Sequence, residues 1–456
     1  MVGRYKPYAT YKSSNIEWIG RVPEHWKASY LGFECSVKAR LGWKGLKAEE
    51  YVDDGVVFLA TPNIKDNEID FSNVNRITRE RYFESPEIML EKGDVLVTKD
   101  GSTTGTTNII RALPEPATVN SSIAVLRSKG NVLSEYLYYF FVSEHTQNLI
   151  SRMRGGMGVP HLFQADLRKF DILIPAEREQ RFIANFLDHE TAKIDSMIEK
   201  QKNLIHLLKE KRQAAISHAV TKGFNPNARM LESGIEWLGN VPTHWIIKNY
   251  RYATKIYRGK FGHRPRNDPA YYDGDYPFIQ TGDIARAGKK ITTYNQTLNE
   301  KGISVSQRFP SGTLVMAIAA NIGDTAILDF EAYAPDSVVG FRPNPDINLE
   351  FLRYSFLAAL PALEQTSTQS TQANLNIDRV GTIKAAFPPL DEQLEIVAFL
   401  DSLLDRYTEI ERKAAGAIQL MQERRTALIS AAVTGKIDVR DWVAPKVSQT
   451  NKEVAV

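Results

Sequence analysis

A catalytic or metal site in this 456-residue chain would have to be assembled from eight histidines, one cysteine and a scatter of carboxylates. A helical metal site needs two ligands one turn apart, and no two histidines stand at i and i+4. Cys35 has no second cysteine, so thiolate zinc binding and an internal disulfide are both unavailable, as expected of a chain in a reducing cytosol. The phosphate-cradling Gly-x-x-x-x-Gly-Lys-Ser/Thr loop and the Gly-x-Ser-x-Gly nucleophile turn are missing. Glu91-Lys92-Gly93-Asp94 with Lys99 has the letters of a nuclease motif, but a turn before a strand explains it more simply. Asn267-Asp268-Pro269-Ala270-Tyr271 comes near the Asp-Pro-Pro-Tyr pattern that holds a flipped base in amino-methyltransferases. It lacks the second proline, and no Gly-rich turn for S-adenosylmethionine accompanies it.

The residue types that do cluster are those that grip nucleic acid. Lys38-Ala39-Arg40-Leu41-Gly42-Trp43-Lys44-Gly45-Leu46-Lys47 packs four cations and a Trp among two glycines. Arg258-Gly259-Lys260-Phe261-Gly262-His263-Arg264-Pro265-Arg266-Asn267 does the same with other letters. Arg and Lys satisfy phosphates and can hold guanine edges, while glycine lets the backbone come close. Lys99, Ser102, Thr103 and Thr104 lie in a polar turn leaving a strand, and Arg152 and Arg154 precede the last strand of the first half. Their counterparts are Asn321 and the amide-rich Gln365 to Asn374, from which Gln369 and Gln372 are taken because an amide can bind adenine bidentately. Any one such loop could be ordinary solvated surface. Recurrence at the same place in both halves argues for use.

That recurrence belongs to a larger repeat. Ser14-Asn15-Ile16-Glu17-Trp18-Ile19-Gly20-Arg21-Val22-Pro23-Glu24-His25-Trp26 returns about 219 positions later as Ser233-Gly234-Ile235-Glu236-Trp237-Leu238-Gly239-Asn240-Val241-Pro242-Thr243-His244-Trp245. Pro175 to Gln180 parallels Pro388 to Gln393, and Arg212 to Thr221 parallels Arg425 to Thr434. The chain is therefore a tandem duplication, each half large enough for its own core. His25 and His244, beside their tryptophans, are expected to be structural. A net charge of +3 names no partner, and no apolar run of about eighteen residues exists to span a bilayer.

Within each half, Gly, Pro, Asn and Asp break the first part into short β-branched runs, interrupted by one helix near Ser134 to Arg152. After the proline at 175 or 389 the pattern turns helical. Steps of four and three pick out Ile183, Leu187, Ile194, Met197, Leu204 and Leu208 in the first copy. They pick out Ile396, Leu400, Leu403, Tyr407, Ile410, Met421 and Leu428 in the second. Glu190, Gln201 and Lys211 interrupt the first stripe and are expected to fix its register. Each span runs roughly 35 residues, or about 50 Å, without proline. Stripes so narrow and long suit another long helix, which predicts that the two pair antiparallel.

The fold class expected is α+β, a tandem pseudo-two-fold repeat of two β-rich domains, each followed by a long helix, with the helices forming an antiparallel coiled coil. The boundaries expected are 1–175 and 221–389 for the domains, 176–220 and 390–434 for the helices, and 435–456 for a C-terminal tail, polar from Lys446 on.

With these motifs in place, from Trp18 to Arg440, the chain resembles the specificity subunit of type I restriction-modification systems. The resemblance rests on the doubled Trp-x-Gly-x-Val-Pro-x-His-Trp, on the Pro-to-Glu-Gln head of each helix, and on Val433-Thr434-Gly435-Lys436-Ile437-Asp438-Val439-Arg440. It implies two target-recognition domains that each read half of a bipartite site in double-stranded DNA, with a helical spacer fixing the gap. It implies two modification subunits that bind S-adenosylmethionine and methylate adenine, and restriction subunits that use ATP and Mg. The chain itself would bind no cofactor, catalyse nothing, avoid membranes and work in the cytoplasm. A methyltransferase or nuclease fused to its own reader would need a further domain, and both halves are used up by the repeat. A scaffold that only assembles proteins would not need the doubled basic loops.

Overall fold

A computed structural model describes residues 5–16, 19–40, 46–153, 161–319, 322–365 and 377–444. The chain divides into two compact units, Met1–Gln201 with Gly416–Val456, and Lys202–Ala415. Both divisions fall inside a long helix. Glu177–Lys222 has 46 residues and Leu390–Val433 has 44, so each unit holds the start of one and the end of the other. Proline sets each start, because Pro175 and Pro388-Pro389 end the preceding strand and cannot continue its ladder. Acidic residues follow in the first turn, Glu177 and Glu179 or Asp391 and Glu392, where the helix dipole favours them. Glycines at positive φ, Gly223 (66°) and Gly435 (71°), lie just beyond the other ends.

In the first unit, Cys35–Lys38, Ile123–Ser128, Val95–Thr98 and Thr107–Ile109 form an antiparallel sheet in that order. A second sheet joins Asn75–Ile77, Val56–Leu59 and Ala117–Val119. The second unit repeats the plan with a five-stranded sheet, Thr254–Arg258, Val338–Pro343, Leu314–Ala317, Thr325–Leu328 and Lys290–Ile291. The helix expected near Ser134 to Arg152 is two, Ser134–Val142 and Glu144–Met153, broken at Ser143. Its aromatic run Tyr136 to Phe141 is buried against the head of the first long helix, including Ile183, Phe186 and Leu187.

The doubled sequence motif and the doubled helix head meet in a doubled clamp. Glu179, 5% exposed, accepts hydrogen bonds from Tyr8 Oη (2.6 Å), Trp26 Nε1 (3.0 Å) and His25 Nε2 (2.7 Å). Glu392 accepts from Trp245 Nε1 (3.1 Å) and His244 Nε2 (2.8 Å). The next residue pins the preceding loop. Gln180 takes the Leu133 amide (2.7 Å) and donates to the Asn131 and Pro175 carbonyls, as Gln393 does with Asn348, Asp346 and Pro388. The glycine that ends the other long helix closes on the same tryptophan. A Cβ on Gly223 would stand 3.1 Å from Trp245 Cζ2, and one on Gly435 would stand 3.3 Å from Trp26 Cη2 and overlap Pro23.

The helices pair antiparallel, since the start of each lies with the end of the other: Asp195 meets Arg425 in the first unit, and Arg212 meets Thr408 and Glu411 in the second. Of the stripe read from sequence, Ile183, Leu187, Ile194, Leu208, Ile396, Leu400 and Leu428 are buried, and Leu403, Tyr407 and Met421 are half-buried. Met197, Leu204 and Ile410 are exposed (43%, 37% and 41%), which corrects their assignment to the seam. The four-three alternation runs one residue later, through Ile194, Ile198, Gln201, Ile205, Leu208 and Arg212, and through Leu400, Leu404, Tyr407, Glu411 and Ala414. Adjacent apolar residues such as Met197-Ile198 and Leu204-Ile205 leave the phase open to pattern counting, and packing decided it. Lys211 is likewise exposed, so the polar residue in that turn of the seam is Arg212.

Removing the buried acceptor by Glu179→Ala should lower stability by about 3 kcal/mol, because three donors lose their partner. Denaturant unfolding of the full chain would measure this, and an unchanged midpoint would show that the clamp holds nothing.

Candidate nucleic-acid interface

Strand register puts the candidate loops at one end of each main sheet. In the first unit Val125 pairs with Lys38, Ile123 with Thr98 and Val97 with Thr107. The loop after Lys38, the hairpin 99–106 and the turn 120–122 therefore share an edge. His161 joins them through its bridge to Asp100, with Nδ1 hydrogen-bonded to the Asp100 carboxylate and the ring edge-on to Phe163 at 4.3 Å. The helix carrying Arg152 touches the same hairpin through Gln147, which donates to the Gly105 carbonyl (3.0 Å).

The second unit builds the same edge: Arg258 pairs with Val339, Ala317 with Val338 and Met316 with Thr325. Gly105 and Gly323 close equivalent hairpins at positive φ (94° and 87°), each amide donating to the last residue of the preceding strand, Thr98 or Ala317. Lys99 and Ile318 also correspond. The Lys99 amide donates to Ser122 (2.7 Å) and the Ile318 amide to Ser337 (3.0 Å). One frame thus presents different side chains at matching points.

The chemistry at the two edges differs in kind. On the first, Lys38, Ser102, Thr103 and Arg152 are exposed. Lys99 is only 6% exposed, and burial pulls its ammonium below the usual lysine value while Asp100 works against the shift. Thr104 is buried, its hydroxyl donating to the Gly101 carbonyl (2.7 Å), so it shapes the hairpin and offers little surface. Arg40 is turned inward at 2% exposure, donating to the Val119 carbonyl (3.3 Å) and to the Ser85 and Thr118 hydroxyls (3.2 and 3.4 Å). This corrects its expected place on the surface: Arg40 lies just beyond Lys38, the last residue of its strand, where the chain leaves the sheet edge, and its guanidinium packs over the Phe58 ring at 5.7 Å. Trp43, Lys44, Arg154, Asn321, Gln369 and Gln372 lie outside the described residues.

On the second edge, Arg258, Lys260, Arg264 and Arg266 are exposed. Asp336, from the turn equivalent to 120–122, holds Arg266 (2.6 Å) and Arg264 (3.5 Å). His263 stacks on Tyr271 at 4.1 Å and bonds Asp268 (3.0 Å), whose carboxyl is held below its usual value first by the Ala270 amide and then by His263. Phe261 anchors the loop in a small aromatic core with Phe278 and Leu298. Gly259 passes so close to the Pro335 and Val338 carbonyls that any Cβ would overlap them. Sequence reading missed Asp100, His161 and Asp336. The signal for the first two was the position of His161 at the close of a basic Gly-rich stretch, but only tertiary pairing joins it to a residue 61 positions away.

No group of three metal-ligating side chains occurs among the described residues, and no described helix is long and apolar enough to cross a membrane.

Known proteins give this architecture a class. The profile for the type I restriction modification DNA specificity domain matches twice, over residues 44–207 and 257–419. The chain belongs to that family, with two specificity domains in tandem, and its role is DNA-sequence specificity. Two relatives match over more than nine-tenths of the chain. The EcoKI specificity subunit of Escherichia coli (strain K12) is 21% identical, covering 93% of this chain and 92% of its own. The putative MjaX specificity subunit of Methanocaldococcus jannaschii is 22% identical over 94% and 98%. Among solved structures, a chain of a type I R-M system complex superposes with a TM-score of 0.71 at 16% identity, covering 91% of this chain and 99% of that one. The HsdS subunit from Thermoanaerobacter tengcongensis gives 0.52 at 16% identity over 91% and 98%. In such systems the specificity subunit is not the enzyme, and catalysis resides on partner subunits.

Arg40→Ala should act through the fold, lowering stability by about 2–4 kcal/mol through an orphaned cluster of acceptors and a cavity. Thermal unfolding compared with DNA affinity separates the two readings, since a variant of normal stability with one relaxed half-site would return Arg40 to the surface.

Proposed function

We propose that each repeat reads one short word of a bipartite target in double-stranded DNA, and that the paired helices set the number of base pairs between the words. The observation that carries this is the doubled sheet edge: one backbone frame, two sets of side chains. A lysine at 99 stands where isoleucine stands at 318, and Ser102 and Thr103 flank the first while a basic arginine loop flanks the second. Exposed Lys38, Arg152, Arg258, Lys260, Arg264 and Arg266 are the residues assigned to DNA, together with Trp43, Lys44, Arg154, Asn321, Gln369 and Gln372 by sequence position. Cations at such an edge serve phosphates and guanine, and amides serve adenine. His263 takes the role of shaping its loop, as Lys99 and Thr104 shape theirs.

On this reading residues 1–175 and 221–389 are the recognition domains, 176–220 and 390–434 the spacer, and 435–456 a tail whose first residues return to the first domain. The Tyr11 hydroxyl donates to the Gly435 carbonyl (3.0 Å), and the Asp438 amide donates to Lys6 (2.8 Å). The partners are two modification subunits, which carry S-adenosylmethionine and methylate adenine, and restriction subunits that use ATP and Mg, all in the cytoplasm. The names of the relatives as specificity subunits of type I restriction enzymes support this assignment.

Selection from a random double-stranded library, with and without modification subunits, should enrich two fixed words at constant spacing. No enrichment in either condition ends the proposal. Arg264→Ala should then relax one word only, by about 1–3 kcal/mol where a base contact is lost. Equal weakening on every sequence would mark a phosphate contact instead. Four residues inserted into one long helix should alter the accepted gap or abolish assembly, and unchanged spacing with full methylation would remove the spacer role.

A further inference from the structure

The middle of the paired helices is thinly packed. Between Ile198 and Ile216 of the first long helix Leu208 is the one side chain fully withdrawn from solvent, and between Leu404 and Leu428 of the second it is Ala414. A seam with so little apolar specification is weakly fixed in register, and polar residues placed in a seam are the best-attested means of fixing it. Two arginines occupy equivalent positions in the repeat, Arg212 and Arg425. Each reaches across to an equivalent position on the opposite helix. Arg425 Nε donates to Asp195 Oδ1 (2.9 Å) in the first unit. Arg212 Nη2 donates to Thr408 Oγ1 (3.0 Å) in the second, where Glu411 at 3.4 Å adds the charge that threonine lacks. Both guanidinium groups are mostly withdrawn, at 27% and 30% side-chain exposure.

We propose that Arg212 and Arg425 are the register keys of the helix pair and thereby positioning residues for the gap in the DNA target. This rests on the reading that the helices set that gap. A slip of one heptad moves the helices past each other by about 10 Å, roughly three base pairs of duplex. In one direction the slip sets Arg425 against Lys202 and Arg212 against Ala415, so one cation meets another and the second meets a methyl group. In the other direction the arginines face Asp188 and Asp401. Both carboxylates are already engaged, Asp188 by Tyr139 (2.7 Å) and Arg111 (2.7 Å), and Asp401 by Tyr354 (2.5 Å) and Lys289 (2.8 Å). In the native register both arginines meet an acceptor on the opposite helix. An exposed ion pair adds little stability, but what matters here is the difference between registers, to which the arginines contribute along the thin middle in addition to the packed ends.

The test uses the full chain with its modification subunits and a DNA library in which both words are constant and the gap varies. Methylation of adenine is mapped for wild type, Arg425→Asp, and the charge swap Asp195→Arg with Arg425→Asp. The single variant should lose about tenfold in methylation at the native gap and gain it at gaps shifted by about three base pairs. The swap should restore the native gap to within about twofold. A single variant that keeps one gap at full rate overturns the proposal. So does loss at every gap that the swap does not repair, which is what a merely structural residue would give. Wild type methylating at all gaps would overturn the underlying spacer reading and this inference with it, whereas a single wild-type gap with insensitive variants overturns this inference alone.

Discussion

A hydrogen-bonded carboxylate at the head of each long helix, buried at Glu179 and half-buried at Glu392, is the constraint on which the rest depends. Glu179 and Glu392 sit where the helix dipole already favours negative charge, and each is satisfied by donors from the Trp and His of its own repeat. A carboxylate withdrawn from water is tolerated only if its lone pairs are filled, so the Glu, the His and the Trp are mutually obligatory. The glutamine that follows fastens the adjoining loop, and the far helix ends in a glycine because a Cβ there would crowd the same tryptophan. Each recognition domain is thereby attached to its helix at a defined point, whatever its loops contain.

That division of labour explains why the two halves are alike at their ends and unlike in the middle. Reading different words requires different side chains, yet the edge that carries them must stay in place. The hairpins closed by Gly105 and Gly323, and the amide bonds of Lys99 and Ile318, are backbone features and leave the side chains free to differ. Asp188 and Asp401 show the same tolerance from the helix side. Both take a tyrosine from the repeated helix, but the cation comes from unrelated places, Arg111 in one half and Lys289 in the other.

For a protein whose role is DNA-sequence specificity, a fixed frame under variable side chains is the useful property. The duplicated clamps hold each β-rich domain to the head of its helix, and Arg425 and Arg212 each reach an acceptor on the opposite helix. Neither half has to act on DNA beyond recognising it, which agrees with the lack of any catalytic constellation in the sequence.

Duplication, the class of fold and the two long helices were legible in the sequence, because each rests on period, spacing or repetition along the chain. The proline starts and the helix ends were within a few residues of those observed, for the same reason. What the chain alone left open was which of two neighbouring apolar residues faces the seam, and Met197, Leu204 and Ile410 fell on the wrong side. Two phases one residue apart differ by about 100° around a helix, and only a partner surface distinguishes them. Lys38 likewise stayed outside while Arg40 turned inward, a choice made by the Ser85, Thr118 and Val119 acceptors and the Phe58 ring around Arg40 and not by its own letters. The clamps, the Asp100–His161 pair and the hold of Asp336 on the arginine loop join residues tens to hundreds of positions apart. Local chemistry names such partners, but only the closing of the chain into a packed body brings them within hydrogen-bond reach.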